Sequence, residues 1–96
     1  MFIEIGDFLY LRLKQMGIQH LFGVPGDFNL SYLEQVEADP QLECIGNCNE
    51  LNAAYAADGY ARINGFSALA TTYGVGDLSA INGIAGAYAE NIPLIH

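Results

Sequence analysis

Basic side chains are scarce in this sequence: lysine and arginine together number three, against eleven aspartates and glutamates, for a formal net charge of −8 in 96 residues. No basic run occurs, so neither a nucleic-acid partner nor a polybasic membrane patch is supported, and the acidic excess serves mainly solubility. Tryptophan is absent, and the six tyrosines have no bases interleaved to suggest stacking on nucleotides. No apolar stretch approaches the ~20 residues of a membrane span. The first residues, MFIEIGDF, carry acids where a secretory leader needs bases, so a cytoplasmic location is expected. Cysteine is limited to Cys44 and Cys48, four apart, and the two histidines, His20 and His96, are far from each other. That is not zinc-ligand spacing, and no metal site is expected within the chain. A Cys44–Cys48 disulfide is one reading; two buried, reduced thiols suit a cytosolic protein better.

What is present is the material of one modest core, with 52% of residues apolar. Ile5, Phe8, Leu9, Leu13 and Met16 recur at helical spacing, with acids early, bases late and Gly17 closing, which predicts an amphipathic helix over 4–16. HLFGV at 20–24 reads as a short buried strand, broken by Pro25 and Gly26, after which Asp27 is placed to cap a helix over 28–37. QLECI at 41–45, with Gly46, is a second strand. NELNAAYAADGYARI then predicts a helix to about residue 63, closed by Asn64 and Gly65. SALATTY at 67–73 is a third strand, a helix is expected over 78–90, and PLIH begins a fourth strand after Asn91 and Ile92. Helix and short apolar strand alternate four times. The expected fold is therefore α/β: a doubly wound, mostly parallel sheet with helices on both faces. His96 falls in a strand that has barely begun, so the chain reads as cut short, a single domain over 1–96 that is incomplete at its C-terminus.

In such sheets ligands bind outside the carboxyl ends of the strands. Three glycine-bearing loops qualify, at 24–27, 46–50 and 74–77, and each reaches an acid: Asp27, Glu50 or Asp77. Glu50 is the isolated one, since no other charged residue occurs between Glu43 and Asp58. Two roles are open to it. With Asn47 it has capping-box spacing; alternatively, it is a carboxylate in a nonpolar pocket that shares a proton with a ligand nitrogen. Asp27 likewise is a helix cap, a proton relay on the rim, or both. GVGDLS at 74–79 follows a strand and opens a helix, as a dinucleotide site would. Yet Ser79 replaces the third glycine and Asp77 falls where a pyrophosphate should go.

Three segments together, FGVPGDFNL at 22–30, NELNAAYAADGYAR at 49–62 and TTYGVGDLSAINGIAGAYAE at 71–90, resemble the N-terminal pyrimidine-binding domain of thiamine diphosphate-dependent 2-oxo acid decarboxylases, the pyruvate and indolepyruvate group. The resemblance spans nearly the whole chain, with the motifs in order and at the right separations. It implies that Glu50 is the cofactor-activating carboxylate, bonded to N1′ of the aminopyrimidine and favouring its 4′-imino tautomer. It implies further that Asp27 belongs to the proton relay around the substrate, and that Pro25, Gly26, Thr72 and Val75 line the pyrimidine. The departures are Tyr73, Asp77 and Asn91, where phenylalanine, glutamate and histidine are frequent. The family's adjacent histidine pair and its diphosphate and magnesium domain lie beyond His96. The resemblance therefore implies a 2-oxo acid substrate, thiamine diphosphate and Mg2+ as cofactors, and a second subunit, in a homodimer or homotetramer, completing the site. It also implies that these residues alone neither decarboxylate nor bind the cofactor tightly. The competing expectation is a stand-alone nucleotide-binding or regulatory module using the loop at 74–77.

Overall fold

Eight elements alternate along residues 2–96, the part of the chain that the computed structural model describes. They are α1 (Ile5–Gln15), β1 (His20–Gly23), α2 (Leu30–Glu37), β2 (Glu43–Gly46), α3 (Glu50–Asn64), β3 (Ser67–Ala70), α4 (Val75–Ala89) and β4 (Leu94–Ile95). Every strand pairing is parallel, in the order β2-β1-β3-β4, with Phe22 opposite Ile45 on one side and Leu69 on the other. The chain steps outward from β1 to β2, then crosses back over β1 to β3. Crossovers of one hand place the helices of opposed steps on opposite faces.

The core divides accordingly. Leu21 and Ala68 point to a cluster with Tyr10, Leu13, Leu33 and Val36 from α1 and α2. Their strand neighbours Phe22 and Leu69 point the other way, onto Ala53, Ala54, Ala57 and Ala80 of α3 and α4. The doubly wound sheet with helices on both faces is thus the observed architecture.

The alanines of α3 serve close approach. Ala53, Ala54 and Ala57 are fully buried, and a Cβ added to Gly83 of α4 would lie 2.5 Å from that of Ala54. At the far end of the pair Arg62 bonds Asp58 in its own helix and Glu90 just beyond α4, the latter at 2.8 Å. α3 ends as expected: Gly65 takes a left-handed φ of 93° and its N–H reaches Ala61 O at 2.8 Å.

Several local expectations are corrected. In α1 the buried residues are Gly6, Tyr10 and Leu13, whereas Ile5, Phe8, Leu9 and Met16 are exposed. Gly6 admits Gln35 of α2, and Tyr10 stacks on Tyr32 at 4.5 Å while donating its hydroxyl to the Tyr32 carbonyl. Burying a large ring with its polar tip satisfied outweighs the aliphatic stripe. α2 begins at Leu30, not 28, and its N-cap residue is Asn29, not Asp27. α4 begins at Val75, three residues earlier than expected, because Asp77 accepts a hydrogen bond from the Gly74 N–H at 2.9 Å and holds the turn closed. The third strand ends at Ala70, and Thr71–Tyr73 belong to the loop. Cys44 and Cys48 are free, but they are not both buried: Cys44 is half-buried on the edge strand and Cys48 is exposed in the loop after it.

Candidate functional site

Parallel pairing brings the carboxyl ends of β1, β2 and β3 to one edge. The loops that follow them emerge side by side, around the position between β1 and β3 where successive connections diverge. The three sequence-predicted loops therefore do share one rim.

Glu50 is the first residue of α3. The capping box expected of it with Asn47 does not form. Asn49 is the cap, its Oδ1 accepting the Asn52 N–H at 2.8 Å, while Asn47 Nδ2 donates to Asn52 Oδ1 at 3.4 Å. The carboxylate of Glu50 is thereby released from capping. It enters no salt bridge among the described residues. The basic residue of its helix, Arg62, is twelve positions on, about 18 Å along the axis.

Glu50 lies against the start of α4. A Cβ on Gly76 would be 3.0 Å from Glu50 Oε1 and 3.0 Å from Thr72 Cγ2. Thr72 in turn fills the space beside Gly26, where a Cβ would meet its Oγ1 at 2.5 Å. Glycine at 26 and 76 is what lets one threonine touch both loops and the carboxylate approach the backbone. The turn carrying Gly26 is held by Asn29, almost fully buried: its Oδ1 accepts the Gly26 N–H at 2.8 Å and its Nδ2 donates to Val24 O at 3.2 Å. Phe28 and Tyr73, both exposed, meet edge to face with centroids 5.7 Å apart and join the first and third loops.

Asp77 is held in its own turn. It accepts from the Thr71 hydroxyl and from the Gly74 N–H, and these bonds, aided by His96 at 3.5 Å, keep its carboxyl below the usual aspartate range. A carboxylate thus occupies the place at the α4 N-terminus that a phosphate would need, which weighs against the nucleotide-binding alternative.

Of the sequence-predicted residues, the structure gathers Glu50, Thr72 and Gly26 into one contact set through Gly76. Pro25, on the first loop, and Val75, the first residue of α4, are exposed beside it. Asp27 is also exposed, and the hydrogen bonds of its turn are made by Asn29 instead. Asn29, Asn49, Thr71 and His96 were not singled out from sequence. The Asx spacing of Asn29 to Gly26 and the place of Asn49 directly before Glu50 were available signals; the Thr71–Asp77–His96 contact, spanning 25 residues, had none.

The electrostatics of the rim are one-sided. Lys14 pairs with Asp39, Arg12 reaches Gln15 and Arg62 lies at the opposite end of α3, so Lys and Arg contribute no charge to the three loops. Among the described residues no group of three His, Cys, Asp or Glu side chains could hold a metal. A carboxylate without an ion pair among the described residues, set against the bare backbone of Gly76, is suited to holding a proton on a flat nitrogen heterocycle. It is unsuited to gripping a polyanion.

Residues 3–96 match the family described as "Thiamine pyrophosphate enzyme, N-terminal TPP binding domain". Pyruvate decarboxylase of Kluyveromyces lactis is 57% identical over 94 residues, 98% of this chain and 17% of the relative. Pyruvate decarboxylase isozyme 3 of Saccharomyces cerevisiae is 58% identical over 94 residues, again 98% and 17%. Alpha-keto-acid decarboxylase of Mycobacterium avium is 56% identical over 92 residues, 96% of this chain and 16% of the relative. The chain therefore spans about one sixth of the length of the curated relatives it matches.

Proposed function

Because the chain belongs to the family of thiamine pyrophosphate enzyme N-terminal domains, we propose that its rim is the pyrimidine-facing half of a thiamine diphosphate site in a 2-oxo acid decarboxylase that releases CO2 and an aldehyde. The observation that carries this reading is Glu50, a carboxylate freed from capping by Asn49, without an ion pair among the described residues, and packed over Gly76. The residues fit the cofactor's ring in their chemistry: without a Cβ at position 76 the backbone lies bare directly beside a proton acceptor. When bound, thiamine diphosphate supplies the electron sink, absent from amino-acid side chains, for the charge left as CO2 departs.

The chain's own residues supply position and proton control. Glu50 holds a proton at the ring nitrogen facing it, and a dry setting strengthens that bond because no water competes for it. Ala53, Ala54 and Ala57 keep the first turns of α3 free of polar groups on the buried side. Gly26 and Thr72, packed together, face the pyrimidine side, with Pro25 and Val75 beside them. Asp27, exposed on the rim, takes the role of proton relay towards the substrate.

The diphosphate and Mg2+ need cations and metal ligands that the rim does not carry, so a second subunit completes the site in a homodimer or homotetramer. The outer face of α4 supports such a contact: Val75, Leu78, Ile81 and Tyr88 are exposed, and Asp77 in the first turn is the one charged residue of the helix. No helix among the described residues is long and apolar enough to cross a membrane. With its two free thiols, the chain fits a cytoplasmic enzyme.

The test is CO2 release from pyruvate and longer 2-oxo acids by the gene product that carries these residues, with thiamine diphosphate and Mg2+ added or withheld. Turnover that requires both is expected, and none from the 96 residues alone. Turnover without thiamine diphosphate, or from the 96 residues by themselves, would overturn the reading.

A further inference from the structure

The last residue of β4's segment reaches the loop that frames Glu50. His96 Nε2 is 2.9 Å from Thr71 Oγ1, and the Thr71 hydroxyl donates to Asp77 Oδ1. A hydroxyl has one proton to give and lone pairs to accept with. Since that proton goes to Asp77, Thr71 accepts from His96, and the imidazole must carry its hydrogen on Nε2. The second oxygen of Asp77 takes the Gly74 N–H. The turn from Thr71 to Asp77 is therefore closed on itself by two bonds and tied to the end of β4 by a third, from His96, whose Nε2 also lies 3.5 Å from Asp77 Oδ1. Within that closed turn stands Gly76, whose bare backbone the Glu50 carboxylate approaches, and beside it Thr72: a Cβ at position 76 would lie 3.0 Å from both Glu50 Oε1 and Thr72 Cγ2.

We propose that His96, as the Nε2–H donor to Thr71, is a positioning residue that fixes the Thr71–Asp77 turn against Glu50 and so sets affinity for the heterocycle. It rests on the proposed cofactor reading for its consequence, though not for its geometry. β4 thereby contributes to the site without a side chain touching the ligand.

The experiment has two arms in the gene product carrying the chain. In the first, 15N-detected spectra of the imidazole report the tautomer, and amide exchange is followed along residues 71–78. A protonated Nε2 is expected, and His96→Leu should speed exchange at Gly74 and Asp77 about tenfold while leaving α2 unchanged, the scale of one lost hydrogen bond. In the second, the thiamine diphosphate concentration for half-saturation should rise about tenfold in His96→Leu and stay within about twofold in His96→Gln, whose amide keeps a donor. A hydrogen on Nδ1 with Nε2 bare, unchanged exchange in His96→Leu, or equal cofactor effects of Leu and Gln would each overturn the proposal. Should the wild-type protein not bind thiamine diphosphate at all, the cofactor reading fails and the first arm still decides the role of His96.

Discussion

At the scale of single residues, the structure separates two tasks that spacing alone had merged at the start of α3. Asn49 caps the helix and Glu50 does not, so their substitutions should part company. Asn49→Ala is expected to lower stability by about 1 kcal/mol in urea unfolding, the usual worth of an N-cap. Glu50→Gln should leave the urea midpoint nearly unchanged. The acids differ as well. Hydrogen bonds from Thr71 and Gly74 hold the Asp77 carboxyl low, and Lys14 with the Gln41 N–H does the same for Asp39. The native state keeps these groups ionised where the unfolded chain begins to take up protons. Their stabilisation is therefore whole above the unfolded value of about 4 and is lost as the pH falls through the lowered native values. Asp77→Asn should flatten the acid side of a plot of unfolding midpoint against pH; an unaltered acid limb would show that the turn does not depend on this carboxylate.

Among the elements, what was legible in the sequence and what was not follow a physical pattern. The order of strands and helices was readable because short apolar runs separated by glycine and proline carry their own punctuation. The boundaries that failed were set by side chains bonding across a turn: Asp77 starts α4 early, and Asn29 delays α2. In α1 the apolar stripe placed only Leu13 correctly in the core, since Tyr10 and Gly6 answer to partners on α2 that periodicity does not contain. The contact of α3 with α4 was half legible, as a run of alanines without the glycine that receives it. With Ala54 filling the space a Cβ at 83 would need, Gly83→Val should destabilise by about 1–3 kcal/mol through overpacking. Thermal unfolding checks this, and a change at the exposed Ala85 on the outer face of the same helix provides the neutral control.

For the whole molecule, a single arrangement explains why Glu50 matters. Three parallel strands deliver three loops to one edge, and glycines at 26 and 76 let those loops close on Thr72 and the carboxylate. All three basic side chains lie elsewhere. The rim carries an acid without an ion pair among the described residues and no cation to grip a diphosphate, which is consistent with the proposed half-site. The proposed division came from the sequence only through family resemblance, because charge composition does not say where the few cations stand. The most direct test is thiamine diphosphate-dependent CO2 release by the gene product bearing Glu50→Gln, beside Asn49→Ala. Turnover is expected to fall at least about 10²-fold in Glu50→Gln with the fold intact, the range of a lost proton-transfer group, and to stay near normal in folded Asn49→Ala. Turnover in Glu50→Gln within a few-fold of wild type would contradict it.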